Sequence, residues 1–71
     1  MEIKEREPQL TDRERELITY IARGFKDEET AECMGIQTQT IRGMVNIILK
    51  RLNLTNRPSL VAWCFTNGII N

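Results

Sequence analysis

Residues 11–52 carry start and stop signals for three helices separated by only a few residues, and that spacing forces each helix to fold back on the one before. Thr11-Asp12-Arg13-Glu14 is a capping box: the Thr11 hydroxyl can accept from the third helical amide while Glu14 reaches back to the Thr11 amide. Leu10, just before it, can staple onto the first turn. Leu17, Ile18 and Ile21 then supply an apolar stripe and Gly24 a left-handed stop, which predicts a first helix over about residues 12–23. Asp27 is the expected N-cap of a second, short helix that runs to about Met34, with Glu28 and Glu29 in its first turn complementing the helix dipole. Gly35 makes the tight turn, Ile36 plugs the core, and Gln37 or Thr38 caps a third helix that continues to about Leu52. A short helix, a glycine turn and a longer helix make a helix–turn–helix.

In the third helix Ile41, Val45, Ile48, Leu49 and Leu52 fall at i, i+4, i+7, i+8 and i+11, which is one continuous apolar face. The opposite stripe holds Gln39, Arg42, Gly43, Asn46 and Lys50, so it contains only hydrogen-bonding groups, cations and a glycine that permits close approach. Charge is segregated along the chain in the same sense. All ten carboxylates lie between Glu2 and Glu32, while residues 33–71 carry Arg42, Lys50, Arg51 and Arg57 and no acid. The overall formal charge of zero thus conceals a C-terminal half of net +4. Solvated helix faces usually mix Glu with Lys. A cationic stripe without acids, in which Arg and Asn can pair bidentately with guanine and adenine, matches what a DNA groove requires.

After residues 53–58 the pattern predicts a fourth helix, capped by Asn56 or Thr55, with Pro58 in its first turn and Gly68 at its end. Its body, Leu60-Val61-Ala62-Trp63-Cys64-Phe65, has no charged or hydrogen-bonding face, so it needs two apolar partners. One is its own core and the other is expected to be a second subunit. A chain of 71 residues makes one domain and buries only roughly 60% of its unfolded surface, which gives a partner subunit something to contribute. It leaves little room for an enzyme pocket, and no nucleophile–base pair or phosphate-binding loop is visible. With no His and two cysteines far apart, neither a metal centre nor a disulfide framework is expected, nor any cofactor. Cys33 and Cys64 both read as small buried hydrophobes. The N-terminus lacks a signal-peptide core and no apolar run approaches the roughly 20 residues of a membrane span, so a cytoplasmic protein is expected.

Leu10-Thr11-Asp12-Arg13-Glu14, Leu17, Ile21-Ala22, Gly24, Glu29, Ala31, Met34, Ile36, Thr40-Ile41-Arg42, Ile48, Arg51-Leu52, Arg57, Val61 and Gly68-Ile69 together resemble the LuxR/GerE-type helix–turn–helix. The resemblance covers residues 10–69, and the length is similar to the free-standing GerE form. It implies an all-α, four-helix domain over residues 10–71 behind an N-terminal extension of residues 1–9. It further implies that helix three lies in the major groove and that helix four makes a two-fold dimer contact. Arg42, Gly43 and Asn46 match the family's base-facing positions, Gln39 and Thr40 match positions near the phosphate backbone, and Lys50 extends the stripe by one turn. In helix four, Leu60, Val61, Cys64 and Gly68 match packing positions, which leaves Ser59, Ala62, Trp63 and Thr66 for the partner, with Trp63 turned away from the subunit core.

The departures from the family bear on function. Its second helix usually opens with a small hydroxyl residue and a lysine where this chain has Lys26 and Glu28, and Thr30 replaces an apolar core residue. Met44 and Ile47 stand where the family usually has His and Asn, three residues apart on one flank of helix three, and so call for an apolar neighbour. That neighbour is either a repacked fourth helix or an additional protein. Two functions therefore remain open. One is a dimeric transcription regulator that reads a palindromic site on double-stranded DNA. The other is an interaction module that pairs with another LuxR-type protein and does not itself bind DNA.

Overall fold

A computed structural model describes residues 10–68. They form four helices and, among the described residues, no strand: α1 (Asp12–Ala22), α2 (Asp27–Met34), α3 (Thr38–Arg51) and α4 (Arg57–Thr66). The extension expected over residues 1–9 and the last three residues, 69–71, lie outside the described part.

The predicted punctuation operates at atomic detail. At the start of α1 the Glu14 amide donates to the Thr11 hydroxyl at 3.1 Å and the Thr11 amide donates to Glu14 Oε1 at 3.0 Å, which completes the capping box. The α1 stop is a Schellman motif: Gly24, at φ 89°, lets the Phe25 amide reach the Tyr20 carbonyl at 3.1 Å and its own amide reach Ile21 at 3.0 Å. The apolar contact that usually accompanies such a motif is the Tyr20–Phe25 ring pair, with centroids 5.1 Å apart. The same pair of bonds closes α2 at Gly35 and α3 at Asn53, which at φ 59° is the one non-glycine residue with positive φ in the described part. At the start of α4, Asn56 accepts from the Ser59 amide at 2.9 Å.

The start of α2 departs from expectation. Its N-cap is Lys26, and Asp27 is the first helical residue. Only the Glu29 half of a capping box forms, with the Lys26 amide donating to Glu29 Oε1 at 2.8 Å, because a lysine side chain has no acceptor to offer. The Asp27 carboxylate is engaged elsewhere by arginines.

Leu17 and Ile18 of α1, Ala31 and Met34 of α2, Ile41, Val45 and Ile48 of α3, and Leu60 and Cys64 of α4 form one buried cluster. The predicted apolar face of α3 is thus its buried face, with Leu49 and Leu52 at its margin. Leu10, Ile36, Met44 and Leu54 pack around the edge. Thr30 sits in the apolar position assigned to it, fully buried, where its hydroxyl is satisfied by donating to the Lys26 carbonyl at 3.0 Å. Cys64 is buried as expected, but Cys33 is exposed: Ala31 and Met34 take the inner side of α2 and turn Cys33 outward. Cross-helix ties complete the frame, including Arg13 Nη2 donating to the Met34 carbonyl at 3.1 Å across the α1–α2 contact.

Candidate nucleic-acid interface

With Ile41, Val45 and Ile48 turned inward, the helical repeat places Gln39, Gly43, Asn46 and Lys50 on the outer side of α3, and all four are exposed, as are Thr40 and Arg42. Apart from its chain neighbours and the backbone of α3 itself, no described residue lies within 4 Å of where a Gly43 side chain would begin, so the middle of this face is open backbone. No acid belongs to α3 itself.

Acids nevertheless reach this side of the molecule, because the fold brings the N-terminal carboxylates back onto the C-terminal cations. Arg42 Nε donates to Asp27 Oδ2 at 3.2 Å, and Arg42 Nη2 stands 3.9 Å from Glu28 Oε2. Arg57 holds both oxygens of Asp27, Nη1 on Oδ1 at 2.7 Å and Nη2 on Oδ2 at 3.1 Å. Arg51 holds both oxygens of Glu14, at 2.7 and 3.0 Å. The Arg57 guanidinium, helped by Arg42, keeps the Asp27 carboxyl below its ordinary range against the opposing effect of burial. Arg51 does the same for Glu14. Of the four C-terminal cations only Lys50 makes no ion pair with a described residue. The acid-free character expected of residues 33–71 is therefore a property of the sequence and not of the folded surface. A residue-by-residue reading could not show this, since the paired residues lie 15, 30 and 37 positions apart.

The apolar flank of α3 divides in two. Met44 packs against the core, whereas Ile47 is 57% exposed, so the fourth helix does not repack over it. On α4, Ala62 and Thr66 are exposed and Ser59 is half-buried. Trp63 is half-buried against the core of its own subunit, which corrects the expectation that it faces away. Instead, Phe65 is the large apolar side chain that α4 exposes, at 50%. The signal was present in the spacing: once Leu60 and Cys64 fix the inner side, the helical repeat leaves Ala62, Phe65 and Thr66 outside.

The model of the bacterial regulatory proteins of the LuxR family matches residues 8–64. The chain belongs to that family. Its members are DNA-binding regulators of transcription, built on the all-α helix–turn–helix fold seen here. The relatives it is similar to include the response regulator protein VraR of Staphylococcus aureus, of Staphylococcus saprophyticus and of Staphylococcus epidermidis. Each is 33% identical over 61 residues, which is 86% of this chain and 29% of the relative. The chain thus spans less than a third of the length of the curated relatives it matches. No solved structure matches it. Among the described residues no helix is long and apolar enough to cross a membrane, and no group of three metal-ligating side chains is assembled.

Proposed function

We propose that this chain is a dimeric DNA-binding transcription regulator that acts in the cytoplasm, without cofactor or catalytic activity, and reads a palindromic site with α3 in the major groove. The observation that carries the proposal is the outer face of α3, where Gln39, Gly43, Asn46 and Lys50 are exposed opposite the buried Ile41, Val45 and Ile48. In this reading residues 10–71 are the DNA-binding unit and residues 1–9 an extension of it. Arg42 and Asn46 contact base edges across the close approach that Gly43 allows, while Gln39, Thr40 and Lys50 serve the phosphate backbone. Two copies related by a two-fold axis through α4, at Ser59, Ala62, Phe65 and Thr66, place two α3 helices about 34–36 Å apart, one turn of DNA.

Three of the four C-terminal cations are already partnered by carboxylates, so non-specific affinity should be weak, at about 10⁻⁴–10⁻⁶ M or poorer, with a shallow salt dependence. Mobility shifts on duplex DNA at several salt concentrations test the proposal. Arg42→Ala and Asn46→Ala should each cost about 1–3 kcal/mol on a preferred site and relax one base position, while Lys50→Ala weakens all sequences alike. Equal weakening of preferred and random DNA by Arg42→Ala would remove that residue from base readout.

One observation favours a second reading, an interaction module that pairs with another LuxR-type protein. Ile47, on the flank of α3, is a large apolar side chain left 57% exposed. Absence of binding to any duplex at low salt would make this second reading the better one.

A further inference from the structure

Asp27 occupies a junction that DNA reading by α3 alone does not use. Its carboxylate stands in the first turn of α2 with the side chain only 14% exposed, and Arg57 grips it at two points, 2.7 and 3.1 Å. A bidentate guanidinium–carboxylate pair fixes the plane of the carboxylate as well as its position. From that fixed plane, Oδ2 accepts the Nε hydrogen of Arg42 at 3.2 Å. Arg42 is thus held at the nitrogen nearest its stem. Its terminal nitrogens make no hydrogen bond to a described residue, since the Glu28 carboxylate, at 3.9 Å from Nη2, is too far for one.

Guanine presents O6 and N7 side by side in the major groove, and paired N–H groups of a guanidinium satisfy both. An arginine that is otherwise loose gives up rotamer freedom to make that contact. Here part of the loss is taken when the domain folds, because Asp27 already restrains the 58%-exposed Arg42 side chain.

We propose that Asp27 is a positioning residue for DNA recognition: anchored by Arg57, it holds Arg42 by Nε and leaves the terminal guanidinium nitrogens for a guanine edge. The inference rests on Arg42 reading DNA, as set out above. It also places a carboxylate beside the nucleic acid, which repels every phosphate regardless of sequence. Removing the charge therefore has two effects of opposite sign. Attraction to DNA in general rises, while preference for guanine falls. A residue that merely supported the fold would weaken both.

The probe is a duplex selected by the wild-type chain from a randomised pool, together with a companion in which the guanine that Arg42→Ala ceases to discriminate is replaced by adenine. Asp27→Asn should lower the guanine-to-adenine affinity ratio by about tenfold, with binding to random duplex unchanged or stronger. In an Arg42→Ala background the same substitution should leave the ratio unaltered. Glu28→Gln should strengthen binding to both duplexes alike and leave the ratio in place. Arg57→Lys keeps the charge beside Asp27 but not the fork, so it should lower the ratio by a smaller factor; this variant carries the test if Asp27→Asn unfolds by circular dichroism. A wild-type ratio retained by Asp27→Asn or, where that variant does not fold, by Arg57→Lys, or a parallel loss on every duplex, would overturn the positioning role alone. If the wild type selects no duplex, or if no guanine depends on Arg42, the DNA-reading assignment falls and this inference falls with it.

Discussion

The Glu14 carboxylate accepts three hydrogen bonds, one from the Thr11 amide at 3.0 Å and two from Arg51 at 2.7 and 3.0 Å. Only the first was legible in the sequence, because a capping box is a local pattern whereas Arg51 lies 37 residues away. Arg51 is the larger cause of the lowered Glu14 pKa. Because the folded value lies below the unfolded one, the unfolded chain binds more protons between the two. The stabilisation is complete above the usual glutamate pKa of about 4.3 and is lost as pH falls through the folded value. Glu14→Gln should therefore cost about 1–2 kcal/mol near neutral pH, and less and less as the solution is acidified. Urea unfolding near neutrality and at about pH 3 measures both; a cost that does not change with pH would detach the effect from the Arg51 pair. Asp27 follows the same sign, with Arg57 in the place of Arg51.

Helix boundaries were legible wherever one side chain decides them. Gly24 and Gly35 announced the left-handed stops, and Thr11 and Asn56 the caps they form. The start of α2 lies one residue earlier than local chemistry predicts because Asp27, a good N-cap by its chemistry, is claimed by Arg42 and Arg57 from α3 and α4. A tertiary contact overrode a local preference there. Gly35 allows the backbone contribution to be measured on its own: its φ is 71° and, apart from its chain neighbours, no described residue lies within 4 Å of an added Cβ, so a substitution meets strain but no clash. Gly35→Ala should cost about 1–2 kcal/mol, read as a lower urea midpoint with an unchanged slope. A loss much larger than that would mean the α2–α3 turn has repacked.

The all-α architecture and the buried face of α3 followed from periodicity, while the electrostatic surface did not, because its ion pairs join the two halves of the chain. That α4 has an apolar outer side is legible in the sequence, but which large side chain occupies it is not. Trp63 packs on its own core and Phe65 stands out, so the two should separate in experiment. Trp63→Ala should lower stability by about 2–3 kcal/mol, somewhat less than for a fully buried aromatic. Phe65→Ser should leave the unfolding midpoint of the monomer almost unmoved and shift any dimer toward monomer in sedimentation. Equal behaviour of the two variants would return Trp63 to the interface. The two cysteines, one exposed and one fully buried with its thiol pushed upward by desolvation, make the domain its own stopwatch. A thiol reagent should consume Cys33 in a fast first phase and reach Cys64 only when the cluster opens around it, so the slow phase counts openings of the core. Protection of that phase by added duplex would time how firmly a bound ligand holds a core it need not touch.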